Sequence, residues 1–190
     1  MDQPDKRATK TRKAFNTPGH AHELTFSCNQ RLPILNSDRC RQWFVESLDR
    51  ARQKLDFELW AYVVMPEHVH VLLLPRREVY EMAAILTAIK LPVARQAVGW
   101  LRESNSNWLE KLKVCRPNGR IEYRFWQQGG GYDRNIFKLD AIWSAVRYIH
   151  DNPVRRGLVR NSIDWPWSSA RAYEGADDIV LPIVDRPPFI

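Results

Sequence analysis

Two histidines, His68 and His70, flank one valine at the start of an apolar run that continues through Val71 to Leu74. In a β-strand, residues i and i+2 project from one face. The spacing therefore predicts two imidazoles side by side, with Val69 and Val71 turned into the opposite, buried face. Neutral imidazole is the commonest protein metal ligand, so this short stretch supplies half of a metal site. The plainer alternative is a pair of hydrogen-bonded histidines in a sheet, and the motif alone does not separate the two. The other three histidines lie elsewhere, His20 and His22 near the first predicted strand and His150 in the last predicted helix.

Tyr148 and Asn152 are four residues apart, a spacing that stacks two side chains on one face of a helix. They stand about a quarter-turn from the apolar stripe Ile142, Val146 and Ile149, and so would flank the buried seam and overlook a sheet beneath it. A phenol can act as a nucleophile and an amide can complete a metal site. Read plainly, Tyr148 is a rim tyrosine and Asn152 a helix cap before Pro153.

The elements that must carry these residues follow from periodicity. His22 to Asn29 reads as a strand with Leu24 and Phe26 on one face, and Asp38 to Lys54 as a helix with Trp43, Phe44, Val45, Leu48 and Ala51 at helical spacing. Period-two alternation from Asp56 and the resumption at His68 to Leu74, around Pro66-Glu67, predict an antiparallel hairpin. Glu78 to Lys90 is helical in pattern, is predicted to kink or break at Pro92, and carries on from Val93 to Arg102. A further strand is expected at Ile121 to Trp126, a flexible loop at Gly129-Gly130-Gly131, and a last helix from Leu139 to Asp151 ended by Pro153. Asp164 to Ser169 reads as irregular chain anchored by its tryptophans. This order predicts an α+β fold, an antiparallel sheet carrying helices in a ferredoxin-like arrangement.

Composition narrows the class. A chain of 190 residues suits one domain, with a basic tail over 1–18, the domain over 19–175 and a Pro-rich tail over 176–190. The apolar runs are far shorter than the roughly 18 residues a membrane span requires. The first fourteen residues lack the apolar core of a secretory signal, so a cytoplasmic protein is expected. Lys and Arg outnumber Asp and Glu by 29 to 22, a formal charge of +7, which favours a polyanionic partner. Cys28, Cys40 and Cys115 have neither even number nor C-x-x-C spacing, and they predict reduced structural thiols.

Four separated segments together resemble the single-tyrosine HUH transposases, in particular the REP-associated tyrosine transposases. They are Trp60 to His70, Phe125 to Gly129 with Tyr132-Asp133-Arg134, Tyr148 to Val154 with Gly157-Leu158-Val159, and Asp164 to Ser169. The resemblance spans roughly Gly19 to Ala172, and the segment from Leu91 to Arg120 is longer than in compact members. It implies a ferredoxin-like HUH fold and cleavage and rejoining of single-stranded DNA, usually beside a hairpin. It also implies that His68, His70 and Asn152 hold a divalent metal, Mg2+ or Mn2+, and that Tyr148 is the nucleophile.

A tyrosine hydroxyl with a pKa near 10 is only about 0.1% ionised at neutral pH, so attack on phosphorus needs a cation or a base. Glu67 and His150 are the candidate bases. Candidate DNA contacts are Lys10, Arg12 and Lys13 in the tail, Arg134, Arg155 and Arg156, and the tryptophans Trp126 and Trp165 as stacking surfaces. Tyr132, in the glycine-rich loop, is the alternative nucleophile. No nucleotide-binding loop of the G-x-x-x-x-G-K-[ST] type is present, so no nucleotide cofactor is expected. The family's REP-associated branch points to a monomer. The competing readings are a hairpin-DNA-binding protein that no longer cuts and a histidine-dependent phosphodiesterase, although the latter class usually carries two His-x-Thr/Ser motifs.

Overall fold

The computed structural model describes residues 16–183 and 185–188. Its main sheet has four antiparallel strands, β1 (Ala21–Ser27), β2 (Phe57–Val64), β3 (His68–Pro75) and β6 (Tyr132–Ile136), in the order β2-β3-β1-β6. Helices α1 (Asp38–Leu55) and α2 (Met82–Glu103) are the two crossovers, so these strands and helices follow the βαββαβ order of a ferredoxin-like fold. Helix α4 (Leu139–Arg155) packs on β2 and β3. Between α2 and β6 lie α3 (Trp108–Lys111) and a separate two-stranded hairpin, β4 (Lys113–Cys115) with β5 (Ile121–Tyr123). Beyond α4 comes α5 (Ala170–Tyr173).

Alternation along the strands divides the core in two. Leu24, Phe26, Val69, Val71 and Leu73 join Phe44, Leu48, Ile85 and Ile89 under α1 and α2. Leu72, Val63, Ala61 and Ile136 join Ile142, Ala145, Val146 and Ile149 under α4. The face that α4 covers is therefore the one from which His68 and His70 project.

Several elements differ from the sequence pattern. The fourth strand of the sheet is Tyr132–Ile136, not Ile121 to Trp126. It is an edge strand without an alternating apolar pattern, and only Ile136 is buried along it. Tyr132 thus belongs to a strand rather than to a loose loop. Helix α2 begins at Met82, four residues later than the pattern suggests, and runs through Pro92. A proline leaves the carbonyl four residues earlier without its donor. Here the buried Ser47 hydroxyl of α1 faces that carbonyl, Ala88 O at 3.2 Å, and Ile89 O at 2.8 Å. Helix α4 likewise continues past Pro153 to Arg155, which makes Asn152 a helix-interior residue rather than a cap.

The Asp164 to Ser169 segment lies along the outer edge of β2. Val64 N–H donates to Trp167 O at 2.8 Å, Ser169 N–H donates to Tyr62 O at 3.0 Å, and Val63 bridges Ser168. An edge strand that would otherwise expose its backbone groups is closed off in this way. In the Pro-rich segment after 175, Leu181 lies in the core.

Candidate functional site

Strand register sets the site. Thr25 of β1, His70 of β3 and Val63 of β2 are cross-strand neighbours, Ser27 lies opposite His68, and Tyr132 of β6 lies opposite Thr25. The two imidazoles are 5% and 4% exposed, and they turn their Nε2 atoms towards one another at 3.1 Å. His70 Nδ1 lies 2.8 Å from Thr25 Oγ1, which fixes that ring from behind. Burial pushes the His70 pKa down to about 3, aided by the charges of His68 and Arg31. Burial also lowers His68, against the pull of the Glu67 carboxylate. Both rings are therefore uncharged at neutral pH, the form in which an imidazole can bind a cation.

Helix α4 brings Tyr148 onto this pair. Its ring stands edge-on to His70, with centroids 5.5 Å apart, and is 39% exposed, so the phenol is both adjacent to the histidines and open to solvent. One turn later Asn152 is buried and donates its Nδ2 to Tyr148 O at 2.8 Å, which leaves Oδ1 as its lone-pair group. Among the described residues no three His, Cys, Asp or Glu side chains cluster around one point. Tyr148 comes from the same chain as the histidines, and the three rings meet without a second copy.

The charged residues divide sharply. Glu67 is buried, and its Oε1 lies 3.2 Å from His68 Nδ1, 3.0 Å from Arg156 Nη2 and 3.3 Å from Arg31 Nη2. Burial alone would raise its pKa, but His68, Arg156 and Arg31 together hold it below the usual carboxylate range. Its oxygen is committed to these partners and not to the Tyr148 hydroxyl. His150, the other candidate base, is excluded by geometry. It points away from Tyr148, with Nε2 at 2.9 Å from Ser169 Oγ and its ring against Tyr173.

Among the candidate DNA contacts, Arg155 lies over the Tyr148 ring at 5.0 Å, and Arg134 makes a two-pronged pair with Glu23 on the α4 side of the sheet. Trp126 is not the stacking surface that the sequence suggests. It is 6% exposed, packed edge-on against Phe26, Phe44 and Phe125, and donates Nε1–H to Lys90 O, so it is a core residue with no face for a base. Trp165 is half-buried and donates to Val64 O, with Arg41 across its ring at 4.9 Å. Lys10, Arg12 and Lys13 lie outside the described residues.

Thr25 and Arg31 carry no local sequence signal for this site. Only the register of β1 against β3 could have found Thr25. The glycine run is legible once β6 is placed. Gly131 has φ +86°, and a Cβ there would sit 2.2 Å from Thr25 O, so only glycine lets β6 approach β1 beside the histidine pair.

The sheet order, the paired imidazoles and the tyrosine helix define an α+β domain with the fold of the HUH single-tyrosine transposases. No protein-family model matches the chain. A curated Haemophilus influenzae protein, whose name assigns it to the REP-associated tyrosine transposases, is 26% identical over 144 residues, covering 72% of this chain and 76% of that protein. A solved structure of a REP-associated tyrosine transposase bound to a REP hairpin superposes with a TM-score of 0.67 over 95% of both chains, at 19% identity. A second solved structure, from Deinococcus radiodurans and named for a transposase, aligns with a TM-score of 0.45 at 16% identity, over 75% of this chain and 97% of its own. The resemblance carried by the motifs thus holds in sequence and in fold: the chain is similar to the REP-associated tyrosine transposases. No described helix is long and apolar enough to cross a membrane.

Proposed function

We propose that this protein nicks and rejoins single-stranded DNA next to a hairpin, with Tyr148 as the nucleophile. The observation that carries the reading is the convergence of the His68, His70 and Tyr148 rings on the α4 face of the sheet. The matched Haemophilus relative and the hairpin-bound structural neighbour support the choice of substrate.

The donor set suits a divalent cation. The two Nε2 atoms, 3.1 Å apart on one face of β3, would be the ring nitrogens that hold it. Imidazole ligands favour Mn2+ over Mg2+, and either would be held by His68, His70 and Asn152. Such an ion, when bound, would polarise the scissile phosphate and offset charge on its oxygens.

The chain's own residues do the rest. Tyr148 Oη gives up its proton and attacks phosphorus, the P–O3′ bond breaks, and the 3′ oxygen leaves and takes up a proton. A 5′-phosphotyrosine remains. Because one phosphoester has replaced another, a second 3′-hydroxyl reseals the strand without nucleotide hydrolysis. Thr25 holds His70 in orientation, and Arg155 lies beside the phenol where a phosphate oxygen would arrive. The test is incubation of a labelled single-stranded hairpin with Mn2+. A protein–DNA adduct that survives denaturation and is lost in Tyr148→Phe supports the enzyme, whereas binding with no adduct indicates a hairpin-binding protein that does not cut.

A further inference from the structure

Beside the histidine pair, on the side away from Tyr148's contact with His70, one carboxylate oxygen serves three positive or donating groups. Glu67 Oε1 meets Arg156 Nη2 at 3.0 Å, His68 Nδ1 at 3.2 Å and Arg31 Nη2 at 3.3 Å. A carboxylate oxygen has two lone pairs, so three donors cannot all be well served. The loser is His68: its buried Nδ1 is left without a hydrogen bond although Glu67 Oε1 is 3.2 Å away. A metal-binding histidine ordinarily donates its second ring N–H to such a carboxylate. Here two guanidiniums occupy that place.

Both arginines are half-exposed at the ends of their elements, Arg31 just after β1 and Arg156 at the end of the tyrosine helix. Arg31 is placed by an unusual turn. It and Gln30 are successive non-glycine residues in the left-handed region, φ 53° and 54°, a conformation such residues rarely adopt. Two guanidiniums against one carboxylate leave a surplus positive charge next to the site, and paired guanidiniums match the geometry of a phosphate.

Resting on the reading of Tyr148 as a DNA nucleophile, we propose that Arg31 and Arg156 seat a backbone phosphate of the DNA strand, and that Glu67 is a positioning residue that holds them in the DNA-free protein. When phosphate draws the arginines away, Oε1 is released to accept the His68 Nδ1–H hydrogen bond. Occupation of the phosphate seat and orientation of His68 are then one event.

The test measures binding of a fluorescein-labelled DNA hairpin with a single-stranded extension across a salt series in EDTA, and Mn2+ affinity by calorimetry without DNA. Arg31→Gln and Arg156→Gln are each expected to weaken DNA binding several-fold and to reduce the slope of log K against log salt by about 0.7. Glu67→Gln is expected to move the two measurements in opposite directions, tightening DNA binding in EDTA several-fold while weakening Mn2+ affinity about 10-fold. A cluster that merely stabilises the fold would weaken both.

Unchanged salt slopes in both arginine variants overturn the proposal, as does weaker DNA binding in Glu67→Gln. Because both arginine side chains are half-exposed, their variants keep the test sharp even if Glu67→Gln fails to fold. Wild-type protein that forms the Tyr148 adduct while the arginine slopes stay unchanged refutes the phosphate seat alone. Wild-type protein that neither binds nor cuts refutes the functional reading, and the phosphate seat with it.

Discussion

Thr25→Val removes one hydroxyl and should damage the histidine pair without touching it. In the folded protein Thr25 Oγ1 lies 2.8 Å from His70 Nδ1, and the imidazole is almost wholly buried. Valine keeps the shape and loses the partner. A buried polar atom stripped of its hydrogen bond costs about 1–3 kcal/mol. For a domain of this size each kcal/mol corresponds to roughly 2–4 °C in melting temperature, so a fall of about 2–12 °C is expected. The second effect is on ligation. With its back nitrogen unheld, the ring is free to turn and to change tautomer, and losing such a partner costs about 10- to 100-fold in metal affinity, or about 1.4–2.7 kcal/mol. Mn2+ titration by calorimetry, with thermal melting followed by circular dichroism, reads both quantities. Thr25→Ser, which retains the hydroxyl, should keep most of the Mn2+ affinity. Thr25→Val with Mn2+ affinity within about 2-fold of wild type would show that the hydroxyl does not orient the ring, and would refute a metal site built on the contact between Thr25 and His70.

Other expectations follow from the same geometry. Gly131→Ala, whose added Cβ would lie 2.2 Å from Thr25 O in a left-handed backbone, should cost about 2–4 kcal/mol, whereas Gly175→Ala, equally left-handed but in open space, should cost only about 1 kcal/mol. Equal melting temperatures for the two variants would refute the close approach of β6 to β1. Ser47→Ala should destabilise by about 1–2 kcal/mol, and less in a Pro92→Ala background where the helix supplies its own donor to Ala88 O. A double-mutant cycle with no coupling would refute the compensation.

His150, held down to about pKa 4 by burial, is neutral in the folded state while the unfolded chain titrates near 6.5. The unfolded state binds more protons between those values, so this contribution is complete above about pH 6.5 and is lost as the pH falls towards about 4. Its upper limit is about 3 kcal/mol. Thermal melts from neutral to acid pH should fall less steeply in His150→Gln, and parallel profiles would contradict this.

How far the sequence revealed the protein depended on whether a feature was local. The His68-Val69-His70 alternation and the i, i+4 pairing of Tyr148 with Asn152 are periodic within one element, and the faces they imply are the ones the chain adopts, because strand and helix periods leave no other choice once Val69, Val71 and Ile149 are buried. The four separated motifs then pointed to one family that no single motif could specify. Contacts across elements left no such trace. Thr25 is an unremarkable strand residue until β1 is laid beside β3, and Tyr132–Ile136 lacks an apolar period because an edge strand buries little.

The prolines misled for the same reason. Pro92 and Pro153 forbid a helix only if nothing compensates, and the compensation for Pro92 is a serine on a different helix. Trp126 failed in the opposite direction. A tryptophan beside a flexible loop in a basic protein reads as a base-stacking surface, yet the indole fills the core between Phe26 and Phe44. An aromatic ring is worth so much buried area that core packing claims it unless something holds it at the surface. Tyr148 is held in that way. Its position beside the apolar stripe of α4 leaves the phenol open to solvent while Ile149, the next residue, is fully buried. A phenol so placed stands at the margin of the packed face, near enough to touch His70 and far enough out to meet solvent.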